Sequence, residues 1–397
     1  MASTACRRPS PSPKDARYSK DPQVGFECSS AGEGLPLASA ELGYIDRRVR
    51  RLDQERTHVN LKPIVNQVVV LMGASSGIGR ETALRLAKRG AKVVVAARSG
   101  AGLRSLEEEI RELGGEASAV VADVSEFEQV EAVAQIAVEE YGRLDTWVHL
   151  AAVGFFAPFD KTQPEEFRRV VDVDLMGQVY GAMAALPHIK REGRGALVHI
   201  SSVVGKRSTP LESAYSASKH GVEGFLESLR VELLRDGWGS IGVTSVIPAA
   251  INTPFFTKAR TKLGVKPKGF PPIYQPGVVA DAILYSAEKA PREIVAGGAG
   301  KGMLLTQRFS PRLMDAIMVR GGFGSQMTEE PKSRADPDGL FAPMEGQDRA
   351  EGDFSEQALE RSPLTWLDTH PSWKWSIGAA GAAVTLSALR AKAGERR

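Results

Sequence analysis

Tyr215 and Lys219 stand four residues apart in Tyr215-Ser216-Ala217-Ser218-Lys219, a spacing that puts a phenol and an ammonium on one face of a helix. A phenol has a pKa of about 10 in water and exchanges protons poorly at neutral pH. A neighbouring ammonium favours the phenolate, by about one to three units, and brings the tyrosine toward acid/base work. The same spacing arises by chance in long helices, so its weight depends on what accompanies it. Gly73-Ala74-Ser75-Ser76-Gly77-Ile78-Gly79 is a second pattern with chemical content. Its glycines let a backbone turn tightly and approach a pyrophosphate, whose charge a following helix N-terminus stabilises. Arg98 stands where an NAD-binding protein places an acid for the ribose hydroxyl, and its guanidinium can instead fork onto a 2′-phosphate. NADP(H) is therefore expected over NAD(H). Asp123, with Val124, is placed to accept from an adenine amino group.

These residues follow a repeating series of elements. Gln67–Met72, Lys92–Ala97, Ala117–Ala122, Thr146–Ala151, Ala196–Ile200 and Gly242–Ile247 read as strands, near-continuous in Val, Ile, Leu and Ala, each followed by a helical pattern. Strands buried on both faces with helices between them predict an α/β doubly wound parallel sheet, with ligands outside the carboxyl ends of the strands. The glycine pattern follows the first strand, which is its required context.

The 397-residue chain is 42% hydrophobic and 25% charged, enough for a large core. A net charge of +3 without basic–aromatic runs argues against nucleic acid as a partner. Both cysteines, Cys6 and Cys28, precede the body, and the six histidines show no metal-ligand spacing, so no metal is expected.

The ordered set Gly73, Gly77, Gly79, Asp123, Ser202, Tyr215 and Lys219 resembles the short-chain dehydrogenase/reductase family, over about residues 66–298. The resemblance implies a single Rossmann-fold catalytic domain and a homo-oligomer. It implies that Ser202 hydrogen-bonds the substrate oxygen, that Tyr215 exchanges the proton, and that Lys219 lowers the tyrosine pKa and holds the nicotinamide ribose. It extends the cofactor site along Ala151, Pro248 and Thr253. The implied function is hydride transfer between nicotinamide and an alcohol or carbonyl. The chain departs from the family pattern in four places, one of them Met72 where a threonine often precedes the first glycine. His149-Leu150 replaces a paired asparagine, Asp174 stands where a fourth catalytic residue is asparagine, and Ala249 replaces a glycine. The changes at Asp174 and His149-Leu150 motivate the alternative of a catalytically lapsed NADP-binding regulatory or scaffold protein.

A loop from Phe255 to Pro276 would cover an apolar alcohol or carbonyl substrate, with Phe155, Phe255 and Phe256 as pocket residues. The domain expectations are a disordered leader over 1–61, a catalytic domain over 62–298, a docking helical extension over 299–328, a flexible linker over 329–372 and a short apolar, basic helix over 373–397. Val59 is also an alternative translation start that would leave residues 1–58 unmade. The run Ile377 to Leu389 makes about 20 Å of helix, short of a bilayer's ~30 Å core. It reads either as a helix packed on the body or another subunit, or as a peripheral membrane anchor. The expected location is cytoplasmic, with membrane association as the variant.

Overall fold

The structure is a computed structural model that describes residues 59 and 61–374. The expected leader, apart from Val59 and Leu61, and the apolar run 377–389 lie outside the described residues. The strands are β1 (Val68–Met72), β2 (Lys92–Ala97), β3 (Glu116–Val121), β4 (Thr146–His149), β5 (Phe155–Phe156), β6 (Gly195–Ile200), β7 (Ile241–Pro248), β8 (Arg260–Thr261), β9 (Val265–Pro267), β10 (Glu293–Ala296) and β11 (Met327–Pro331). Seven of them form one sheet in the order β10-β7-β6-β4-β1-β2-β3, and each neighbouring pair is parallel. This is the doubly wound Rossmann arrangement expected from the alternating series. The edge strand β10 was not among the strands read from the sequence.

Alternation along β1 shows why both faces are covered. Val68, Val70 and Met72 join one core, and Val69 and Leu71 join the other. The first core is built with Val130, Val133 and Ala137 of α3 (Phe127–Tyr141), Ala182 and Ile189 further along, and Val222 and Leu226. The second takes Leu86, Leu103, Leu106 and Ile283. The helices concerned are α1 (Gly77–Lys88) and α2 (Gly100–Glu112) before α3, then α4 (Pro164–Val171), α5 (Gly177–Arg191) and α6 (Ser213–Arg235). A single turn α7 (Phe255–Lys258) precedes α8 (Gly277–Lys289), α9 (Gly298–Phe309), α10 (Pro311–Ile317) and α11 (Pro363–Thr369). Strand order reverses between β1 and β4, and the crevice opens at their carboxyl ends.

Between α4 and α5 the helix widens into a π turn, Asp172–Met176. One added residue per turn rotates the following side chains, a device common at functional sites. It carries Asp174 inward, fully buried.

Residues 329–362 differ from the flexible linker that their composition suggests. Leu340 is 0% exposed within the first core and Phe354 packs against Phe256. Gly339 N–H donates to the Lys258 carbonyl at 2.7 Å, Arg169 Nε donates to the Leu340 carbonyl at 3.1 Å, and Phe354 N–H donates to Asn252 Oδ1 at 2.9 Å. The segment is a strap across the carboxyl edge of the sheet. Leu340→Ala should therefore cost about 2–5 kcal/mol in chemical denaturation. A loss below about 0.5 kcal/mol, the level of an ordinary surface change, would show that the strap is not docked.

Candidate active site

The turn from β1 into α1 is shaped by close approach. Gly73 has φ +91°, and a Cβ there would lie 2.5 Å from the Ala151 nitrogen; one on Gly79 would lie 2.2 Å from the Gly73 carbonyl oxygen. No larger residue fits either place. α1 has no acidic residue in its first turn, so no side-chain carboxylate there offsets the partial positive charge of its N-terminus. Gly73, Ser75, Ser76, Gly77, Ile78 and Gly79 line one cleft of about 470 Å³ together with Arg98, Asp123, Val124, Ala151, Pro248 and Thr253. Every cofactor-binding position expected from the sequence thus reaches the same cavity.

Two of those side chains have protein partners. Arg98 donates through Nη2 to the Gly339 carbonyl at 2.6 Å, while Nη1 is buried without a partner among the described residues. Burial, then the nearby Arg169 charge, lowers the Arg98 pKa. Asp123 accepts from Arg169 at 2.6 Å and from Ser125. Burial opposes its charge, but these bonds prevail and hold its pKa below the ordinary value. The carboxylate expected to meet adenine is thus already engaged by Arg169.

Ser202, Tyr215 and Lys219 line the same cleft. Ser202 begins a short 3-10 turn at the end of β6, its Oγ accepting from Val204 N–H at 3.2 Å, and its hydroxyl favours the ionised form of Tyr215. Lys219 lies one helical turn beyond Tyr215 in α6, its Nζ 5.4 Å from the tyrosine ring centroid and donating to the Ile200 carbonyl at 2.9 Å. The electrostatics differ from the sequence expectation. Burial, then the charges of Asp174 and Glu212, push the Tyr215 pKa up, and the Ser202 hydroxyl offsets only part of this. The Lys219 pKa is itself lowered by burial, with Asp174 and Glu223 pulling the other way. Proximity was readable from the spacing; desolvation was not, and here it outweighs the ammonium.

Asp174 is not among the cleft-lining residues. Its Oδ1 accepts from Val153 N–H at 2.8 Å, and Oδ2 is buried without a partner among the described residues. Burial raises its pKa to about 7 against the pull of Lys219 and Val153. It therefore supports the loop after β4 and the charge of Lys219 from behind the cleft.

On the substrate side Phe255 and Phe256 line the cleft, with Phe255 5.7 Å from the Tyr215 ring. Phe155 does not. It lies in β5, paired with β8, packs into the first core and is covered by the Lys262 ammonium. The expectation for Phe155 is corrected: pairing with β8 turns this ring inward. The cleft is further lined by Met303, Met314, Ile317 and Met318 from α9, α10 and the turn after them, and by Thr209 and Glu212. Glu212 accepts from Thr209 at 2.8 Å, and burial raises its pKa to about 7. Lys258 reaches Ser76 Oγ at 2.8 Å, and burial lowers its pKa to about 8. Neither Glu212 nor Lys258 carries a local sequence signal; long-range packing brings both in. Among the described residues no His, Cys, Asp and Glu group is placed to hold a metal, and no helix is long and apolar enough to cross a membrane.

Known proteins share this layout. A family model described as short chain dehydrogenase matches residues 67–264. The uncharacterized oxidoreductase YxnA of Bacillus subtilis is 37% identical over 288 residues, 72% of this chain and 81% of that protein. A levodione reductase of Leifsonia aquatica is 35% identical, covering 50% of this chain and 74% of its own. Among solved structures, an alcohol dehydrogenase of Thermococcus sibiricus complexed with 5-hydroxy-NADP is 27% identical with a TM-score of 0.51, covering 58% of this chain and 95% of its own. With the glycine turn, the serine, the tyrosine and the lysine gathered on one cleft of a seven-stranded parallel sheet, the chain belongs to the short-chain dehydrogenase family of oxidoreductases.

Proposed function

We propose that this protein is an NADP(H)-dependent oxidoreductase that interconverts an apolar carbonyl compound and its alcohol, with Tyr215 as the proton donor and acceptor. The observation that carries the reading is the gathering of Ser202, Tyr215 and Lys219 on the wall of the same cleft that the glycine turn opens. The cleft suits a dinucleotide: glycines fit where a Cβ would collide, and the buried Arg98 Nη1, without a partner among the described residues, is one that a 2′-phosphate would satisfy. The alcohol dehydrogenase of Thermococcus sibiricus, with its NADP derivative, supports the same choice.

The nicotinamide, when bound, supplies or accepts the hydride. The protein's share is placement and proton handling. Ser202 Oγ orients the substrate oxygen beside the Tyr215 hydroxyl. Because burial raises the phenol pKa, the cofactor-free site presents Tyr215 protonated, ready to donate to a developing alkoxide. Oxidation requires the reverse, and the positive Lys219 ammonium opposes the burial penalty as the phenol gives up its proton. Phe255, Phe256, Met303, Met314 and Met318 offer the substrate a mainly apolar wall, with Glu212 as a polar anchor.

With NADPH and a panel of hydrophobic ketones and aldehydes, Tyr215→Phe should lower turnover by about 10²–10⁴-fold. Equal rates would leave only the binding reading. Arg98→Ala should raise KM for NADPH about tenfold while leaving KM for NADH within about twofold, as expected for one charge-assisted phosphate contact; parallel changes would remove the basis for NADP preference.

The buried acids make a third prediction. Asp174 and Glu212 have ordinary values of 3.8 and 4.5, raised in the fold to about 7. The folded protein holds these protons more tightly than the unfolded chain. The stability they contribute is therefore fully present below about pH 4 and is lost as pH rises through about 7. Relative to Asp174→Asn, the wild type should lose on the order of 4 kcal/mol between pH 4 and pH 8 in denaturant melts. Parallel pH curves for the two proteins would show that Asp174 stays ionised throughout.

A further inference from the structure

The strap closes the adenosine end of the cleft with the chain's own groups. Asp348 enters between the glycine turn and α2. Its Oδ1 accepts from Ser99 Oγ at 3.2 Å, and a Cβ on Gly102, in the first turn of α2, would stand 2.2 Å from that same oxygen. Ser99 is the N-cap of α2 and also accepts from Gly102 N–H at 3.1 Å. Beside it, the Arg349 carbonyl accepts from Gly77 N–H at 2.9 Å, the first amide of α1. The Gly339 carbonyl takes Arg98 Nη2. One stretch of strap thus contacts Arg98, Ser99 and Gly77, the three groups on which a bound adenosine phosphate would draw.

An acid is missing after β2, where a ribose hydroxyl would meet one, and Arg98 stands there instead. The strap returns an acid to that neighbourhood from a residue about 250 positions further along the chain. We propose that Asp348 is a specificity-determining residue that weighs against the 2′-phosphate and so narrows the preference for NADP(H) set by Arg98. The inference rests on the cofactor reading above. A carboxylate and a phosphate compete for the same Ser99 hydroxyl and the same positive first turn of α2, and they repel each other at that range. A ribose hydroxyl has no such conflict, because it donates to a carboxylate. Asp348 therefore handicaps the phosphorylated ribose and tolerates the plain one.

Asp348→Asn keeps an acceptor for Ser99 and removes the charge, with Asp348→Ala as its companion. Cofactor-free, full-length protein is titrated calorimetrically with 2′,5′-ADP and with 5′-AMP. In both variants 2′,5′-ADP should bind about tenfold more tightly than in the wild type, while 5′-AMP binds no more tightly. The ratio of kcat/KM for NADPH to that for NADH should rise by a similar factor. Unchanged 2′,5′-ADP affinity overturns the proposal. So does equal tightening of both nucleotides, which is what mere loosening of the strap would give. Arg98→Ala separates the two readings. If it weakens 2′,5′-ADP while the Asp348 variants behave as wild type, the NADP reading stands and this inference falls. If it leaves 2′,5′-ADP unmoved while the Asp348 variants gain, Asp348 alone governs the 2′-phosphate and the inference stands without Arg98.

Discussion

The buried ammonium of Lys219 is the constraint around which the carboxyl edge of the sheet is arranged. It is 2% exposed, and an unpaired charge at that depth would cost several kcal/mol. Three groups answer it: the Ile200 carbonyl at the end of β6, by a direct bond, and the Asp174 and Glu223 carboxylates, through their fields. Gln178 Nε2 donates to the same Ile200 carbonyl at 2.8 Å, tying α5 to that point. Asp174 in turn accepts from Val153, which fixes the loop after β4 on which Ala151 approaches the glycine turn. One charge thus links α6, β6, the π turn and the cofactor crevice. The π turn supplies the rotation that lets Asp174 take part.

The central strand shows how the same edge manages without the paired asparagines. His149 and His199 are register partners on β4 and β6, and their rings stack with centroids 6.2 Å apart and planes 9° from parallel. Both are fully buried, and burial drives the His149 pKa well down and that of His199 to about 3, so both stay neutral. Neutrality is what makes the stack compatible with Lys219, whose charge opposes protonation of either ring. The backbone support moves elsewhere: Leu150 N–H donates to the Met72 carbonyl and Val153 N–H to Asp174. An acid at position 174 and a histidine at 149 are parts of one solution, in which the carboxylate holds the loop and the imidazole fills the layer.

What the sequence made legible was local or periodic. The strands were readable because both faces of the sheet are covered, so apolar residues run without interruption through Val68–Met72 and Lys92–Ala97. The glycine turn was readable because steric crowding leaves no alternative at Gly73 and Gly79, and Tyr215 with Lys219 because their spacing is one helical turn. The remainder depends on contacts between distant segments. Strand pairing set the direction of Phe155, and burial set the sign of the Tyr215 shift. The strap was illegible for a definite reason. Its composition is polar and rich in proline and glycine, and its docking rests on isolated anchors such as Leu340 and Phe354 that form no period. Composition reports the average of a segment, whereas docking needs only a few buried side chains and satisfied carbonyls.

The residues after β10 line both ends of one cleft above a common sheet. At the apolar end α9, α10 and the turn after them bring Met303, Met314 and Met318, unbranched thioethers that fill irregular space and yield to different apolar shapes. Glu212 is set into that same wall by Thr209. With its pKa near neutrality, Glu212 either donates or accepts a hydrogen bond on that wall. Tyr215 feels the charge of this acid, so whatever neutralises Glu212 in the cleft also eases deprotonation of the phenol. Glu212 and Tyr215 are therefore electrostatically coupled across three residues of chain on one wall of the cleft.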